Sequence, residues 1–287
     1  MSWAVVVFAP EDELELLASR LFELGATGVE LQEPGQPLMP GTPELAHGTA
    51  RCIGHFAHRD DAAAAARELG RAETPVEVAD EDWNVAWRKQ HRPVRVGPRS
   101  WVQPPWEDAP ALPGEARVVI DPGMAFGTGS HPTTALCLER IDELLAARPG
   151  ADVLDVGTGT GVIAFAAVKL GAGRVCGTEN DPIALEAARR GAQLNGIAAD
   201  RIEWVLANPD ELAALPYDIV VANILLNTLV ELAPPIARKV APRGTVVLSG
   251  LLAAQADAAE AAYAALGLAP GPRKEREGWV RIELTRS

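Results

Sequence analysis

Val153-Leu-Asp-Val-Gly-Thr-Gly-Thr-Gly-Val-Ile-Ala-Phe-Ala-Ala167 is the stretch that decides the fold. Val153, Leu154 and Val156 form a short apolar strand, Gly157, Gly159 and Gly161 a turn, and the small and aliphatic residues that follow a helix. Glycines at alternate positions let the backbone turn sharply and let a ligand lie directly on the main chain. Asp155, at the end of the strand, can order the loop or accept from a cationic ligand. A dinucleotide site needs G-x-G-x-x-G, but here Val162 holds the third position and Gly161 comes one residue early. This tighter turn suits a nucleoside carrying an amino-acid tail better than a pyrophosphate, and S-adenosylmethionine is such a nucleoside.

Arg174-Val-Cys-Gly-Thr-Glu-Asn-Asp-Pro182 adds a second strand with an acid at its tip. Glu179 follows the first glycine at close to the roughly 20-residue offset where an acid grips ribose hydroxyls. Asp181 competes for that role. Because Asp181-Pro182 precedes a good helix, an N-cap with Pro at the first helical position is the better reading.

Further along, strands alternate with helices: strands at 201–206, 217–222, 244–249 and 279–284, helices at 225–240 and 253–266. That pattern predicts a doubly wound α/β sheet whose ligand crevice lies beyond the carboxyl ends of its strands. Asp155, Glu179 and Asn223 all fall at such ends. Asn223 directly follows a buried strand, where its amide can meet the reacting group.

Upstream of the glycine turn lies Pro122-Gly-Met-Ala-Phe-Gly-Thr-Gly-Ser-His-Pro-Thr-Thr134. A loop this rich in glycine, with Phe126 at its centre, predicts a lid over a bound cofactor. Thr133 or Thr134 can cap the following helix, and either hydroxyl can face a ligand carboxylate. His131, before a proline in a turn, reads as structural rather than as a base.

The first 80 residues have a different texture. Strands at 3–8, 28–32, 51–57 and 75–79 and helices at 11–24 and 60–69 give the order β-α-β-β-α-β, a ferredoxin-like α+β domain. His47, His55 and His58 fall in or near it without a cysteine or acid cluster, so no metal site is expected. Trp83 and Trp87, four apart, share one face of a linker helix expected over 81–97. The domain from 98 to 287 then carries the chemistry.

Composition bounds the function. The 287 residues are 48% hydrophobic, ample for two cores. The charge of −13, from 39 acids against 26 bases, repels phosphate backbones and favours a basic protein partner over stable nucleic-acid binding. Cys52, Cys137 and Cys176 are far apart and lack a C-x-x-C pair, as expected of reduced thiols in a cytoplasmic enzyme. No membrane segment or signal peptide is expected, and a monomer is the working expectation.

Together these residues resemble the bacterial ribosomal protein L11 methyltransferase (PrmA-like) family, class I S-adenosylmethionine-dependent methyltransferases. The lid stretch 122–134 is similar to that family's signature. So are Asp155-Val-Gly-Thr-Gly-Thr-Gly161, Val221-Ala-Asn-Ile-Leu225, Leu248-Ser-Gly-Leu-Leu252, Glu277-Gly-Trp279 and the Asp82-Trp83…Trp87-Arg88 linker. The likeness runs from about residue 80 to the end, with a weaker match of pattern before it.

The resemblance implies a seven-stranded Rossmann-like sheet and S-adenosylmethionine as cofactor, contacted by Thr134, Gly157, Glu179 and Asn223. It also implies a first domain that presents the substrate, and methylation of lysine side chains and the α-amino terminus of that basic ribosomal protein. Where the family usually has Asp, this chain has Glu179. The rival reading is a methyltransferase of nucleic acid or of another protein. Such enzymes resemble Asn/Asp-Pro-Pro-Tyr at the strand end, where this chain has Asn223-Ile-Leu-Leu226, and Asn208-Pro-Asp210 is only a partial decoy on an earlier loop.

Overall fold

The computed structural model describes residues 2–10, 13–32, 50–70, 75–78, 92–121, 131–212 and 215–287. The chain divides into two compact units, Met1–Gln90 and His91–Ser287.

In the first unit, β1 (Ser2–Ala9), α1 (Leu14–Glu23), β2 (Gly28–Gln32), β3 (Ala50–Phe56), α2 (Arg59–Leu69) and β4 (Val76–Val78) follow the expected order. The sheet order is β2-β3-β1-β4, every pair antiparallel, which is the ferredoxin-like arrangement. Period-two alternation sends Val5, Val7, Cys52 and Phe56 into one core with Leu14 and Leu21 of α1 and Ala62 and Ala65 of α2. The helix packs so closely that a Cβ on Gly54 would lie 2.7 Å from Leu21 Cδ2.

The second unit opens with a feature the sequence did not announce. Strands β5 (Val94–Gly97), β6 (Ser100–Gln103) and β7 (Ala116–Val119) make a small separate sheet, β5/β6 antiparallel and β6/β7 parallel. Residues 94–97, the end of the expected linker helix, are therefore strand; the rest of that segment up to residue 91, with Trp83 and Trp87, lies outside the described residues. A buried carboxylate explains the strand. Asp142, on helix α3 (Pro132–Ala147), accepts from Arg99 N, Arg99 Nε and Ser100 Oγ, pinning the β5–β6 hairpin to the helix.

The main sheet comprises β8 (Val153–Val156), β9 (Val175–Glu179), β10 (Ile202–Leu206), β11 (Tyr217–Asn223), β12 (Val240–Leu252), β13 (Leu268–Pro270), β14 (Lys274–Arg276) and β15 (Trp279–Arg286). Seven strands lie in the order β10-β9-β8-β11-β12-β15-β13, and the short β14 adds an eighth by pairing with β15. The first five run parallel and β15 runs antiparallel between β12 and β13.

Strand alternation explains why the sheet is covered on both faces. Val153, Ile219, Val221 and Val247 enter one core with α3 and α4 (Val162–Lys169). Leu154, Val220, Val246 and Leu248 enter the other, with α6 (Leu226–Glu231), α7 (Ala233–Lys239) and α8 (Ala256–Ala264). The single helix expected over 225–240 is two, broken at Leu232 just before Pro234-Pro235. Between β9 and β10 the chain forms α5 (Pro182–Leu194). From β8 the chain winds outward through β9 and β10, then returns to β11 on the other side. The strand order reverses at β8/β11, and that reversal creates the crevice.

Candidate active site

A cleft of about 790 Å³ opens at the carboxyl ends of β8, β9 and β11, within the range of small-molecule sites. Its floor is the glycine turn. Gly157, Gly159 and Gly161 all take positive φ (67°, 52° and 84°), a conformation side chains resist. A Cβ on Gly157 would lie 2.7 Å from Ile224 Cγ2, so the bare backbone is required there. Gly157 and Gly159 line the cleft. Gly161 does not; it serves packing instead, since its Cβ would lie 2.6 Å from Phe165 Cζ at the start of α4.

Asp155 is not among the residues that line the cleft. It is 1% exposed and sits beneath the turn, not on the cleft wall. Thr158 Oγ1 donates to its Oδ2 at 2.6 Å, so of its two open roles, ordering the loop is the one its surroundings support. Burial pushes its carboxyl up to about 7, partly offset by the Thr158 bond.

Glu179, at the tip of β9, lines the cleft. Its Oε2 accepts from Gly159 N at 3.0 Å, and its Oε1 accepts from Asn180 N at 2.9 Å and Asp181 N at 3.3 Å. The carboxylate thus ties the strand tip to the turn, and these three bonds leave one of its four lone-pair sites unused. Asp181 is the N-cap of α5, accepting from Ile183 N at 2.8 Å with Pro182 at the first position, as expected. Ala207, Asn208 and Pro209 complete this end of the cleft, so the segment after β10 that read as a decoy belongs to the site.

At the other end stands Asn223, on the last residue of β11. Its Nδ2 donates to Thr134 Oγ1 at 3.2 Å, while its Oδ1 has no hydrogen-bond partner among the described residues. An acceptor left unpaired is costly unless something arrives to donate to it. Thr134 lies one turn into α3, but neither threonine caps that helix. His131 does, its Nδ1 accepting from Thr133 N with Pro132 next in line. Burial lowers the proton affinity of His131, with Glu277 opposing, and that keeps Nδ1 an acceptor.

Trp279 had no role from sequence beyond the family likeness. Its ring meets His131 edge-on at 5.0 Å and it forms part of the cleft wall. The turn before it, with positive φ at Glu277 and Gly278, hands it into place. Phe126 and the lid stretch 122–130 lie outside the described residues. The three cysteines are buried and unbridged, with burial pushing Cys52 and Cys176 up to about 11 and Cys137 to about 12, so none is a ready nucleophile.

A doubly wound sheet with β15 reversed between β12 and β13, a side-chain-free turn after β8 and a carboxylate closing β9 define a Rossmann-like, S-adenosylmethionine-dependent methyltransferase. The sequence profile of the family described as "Ribosomal protein L11 methyltransferase (PrmA)" matches residues 2–287. A ribosomal protein L11 methyltransferase of Myxococcus xanthus is 44% identical, over 99% of this chain and 98% of its own. One of Azotobacter vinelandii is 43% identical over the whole of both chains, 100% of each. The crystal structure of a ribosomal protein L11 methylase from Lactobacillus delbrueckii subsp. bulgaricus superposes with a TM-score of 0.63 at 30% identity, covering 69% of this chain and 100% of that one. The chain belongs to the ribosomal protein L11 methyltransferase family.

Proposed function

We propose that this protein methylates amines of ribosomal protein L11, the ε-amines of lysines and the N-terminal α-amine, using the cleft between Glu179 and Asn223. When bound, S-adenosylmethionine supplies an electrophilic methyl group on a sulfonium. Glu179 would hold the ribose hydroxyls, the backbone of Gly157 and Gly159 would carry the nucleoside, and Thr134 with the first turn of α3 would meet the amino-acid tail.

The observation that carries the reading is Asn223 Oδ1 at the end of β11, which has no hydrogen-bond partner among the described residues. A neutral amine can donate one N–H to it and keep its lone pair free, so the amide fixes the direction of the nucleophile. Thr134 in turn fixes the amide. The amine must arrive neutral. At pH 7 that costs roughly 4–5 kcal/mol for a lysine and about 1 kcal/mol for an α-amine. Removal from water and proximity to the sulfonium both lower the amine pKa, so an added base is not required. His131 is not assigned that task, because its Nδ1 is committed to the helix cap.

The net charge of −13 supports a basic partner such as a ribosomal protein, and the first domain is assigned the task of presenting it. The test is mass spectrometry of L11 incubated with enzyme and cofactor. Mass increments of one or more methyl groups on lysine and N-terminal peptides are expected, and Asn223→Ala should cut kcat/KM by about a hundredfold. An unmodified L11 would refute the reading.

A further inference from the structure

The wall of the cleft next to Asn223 is apolar where exposed residues are usually polar. Leu225, two residues beyond Asn223, is 73% exposed yet lines the cleft. Trp279 shares that lining, and Leu252, its register partner across the β12–β15 pair, is 46% exposed. The backbone holds this lip in place. Gly250 takes φ +83° in the register shift of β12, and a Cβ there would lie 2.5 Å from Ile224 O, so the chain just before Leu225 is pressed against it. Leu225 starts the helix through its carbonyl, which accepts from Leu229 N at 2.9 Å, and its side chain takes no part in that. It is the N-cap of α6 in extended geometry, its side chain makes no cap, and it touches solvent over most of its surface.

We infer that Leu225, which lines the same cleft as Asn223 and Trp279, grips the aliphatic stem of a lysine and so selects lysine ε-amines over the N-terminal α-amine. This rests on the proposed amine methylation at Asn223 and goes beyond it by assigning a selecting side chain. A lysine carries four methylenes between its backbone and the amine that must reach Asn223 Oδ1. Apolar walls desolvate that stem and leave the polar end for the amide. An α-amine has no stem to grip and gains nothing from the lip. Contact with the stem also offsets the larger deprotonation cost that a lysine carries, so discrimination acts on the amine class that needs it.

The experiment compares wild type, Leu225→Ala and Leu225→Met on full-length L11, with lysine and N-terminal products counted separately by peptide mass spectrometry at early times. Binding of S-adenosylmethionine to each variant is followed by calorimetry to establish that the cleft is intact. The ratio of lysine to α-amine methylation should fall roughly tenfold in Leu225→Ala and return to within about twofold in Leu225→Met, as expected for loss and return of a few methylene contacts. A ratio unchanged in Leu225→Ala, whether both products persist or both decline together, overturns the inference. Wild-type enzyme that methylates neither amine sinks the proposed function itself, an outcome separable from the first because it is read on the unmutated protein.

Discussion

Glu179, the proposed ribose acceptor, also ties the tip of β9 to the glycine turn. Its Oε2 folds back onto Gly159 N while Oε1 holds the Asn180 and Asp181 amides. Glu179→Ala should therefore weaken S-adenosylmethionine binding more than tenfold by calorimetry, through loss of the ribose acceptor and loosening of the turn together. Unchanged affinity would move the ribose ligand elsewhere. Asp155 yields a prediction of a different kind. Its folded pKa of about 7 lies above the ordinary aspartate value near 3.9, so between those pH values the native state holds a proton that the unfolded chain has lost. Stability from this group is full below pH 4 and declines until about pH 7. An Asp155→Asn variant has no such titration. Relative to wild type it should gain up to about 4 kcal/mol between pH 4 and pH 7.5, measured by urea unfolding at each pH.

At the scale of elements, α3 is the member on which the site depends. Its first turn presents Thr134 to Asn223, and its body is tied to two different sheets. Asp142 receives three donors from the β5–β6 hairpin. On the other side Arg140 binds Glu283, which also pairs with Arg281 at 2.7 Å, and Glu139 pairs with Lys274 and Arg276 of β14. The Arg140–Glu283–Arg281 group is largely desolvated: the Glu283 and Arg281 side chains are 2% and 5% exposed. Removing its anion takes the ion-pair partner from the buried Arg281, while Arg140 keeps Glu143 at 2.8 Å. Glu283→Ala should cost about 3–5 kcal/mol, seen as a lowered urea midpoint, whereas truncating the exposed Asp257 partner of Arg273 should cost under about 1 kcal/mol. Because α3 and β15 bring His131 and Trp279 together, a loosened Glu283 variant should also bind cofactor more weakly.

For the whole molecule, the two units each close their own core: Val5, Leu21 and Phe56 in the first, the paired faces of the large sheet in the second. Among the described residues, those that line the cleft come from the second unit. Deleting residues 1–80 should leave cofactor affinity within about twofold by calorimetry while abolishing methylation of intact L11. Normal methylation by the truncated enzyme would remove the first domain from substrate presentation. Among the described residues no helix is long and apolar enough to cross a membrane.

The sequence by itself determined the local and periodic features. Alternating apolar residues specified strands covered on both faces, the early third glycine set the turn, and Asp181-Pro182 specified a cap, because each of these depends on neighbours a few residues away. It could not determine what depends on strand order and on side chains meeting across the sheet. Asp155 and Glu179 look alike as acids at strand ends, yet one is buried beneath the turn and the other lines the cleft. Thr133 and Thr134 look like caps, yet His131 takes the cap and leaves Thr134 for Asn223, 89 residues away. Asn208, Leu225 and Trp279 come to line one cleft only once β10, β11 and β15 lie in a common sheet, since a cleft is made by the ends of strands that the chain visits at widely separated times.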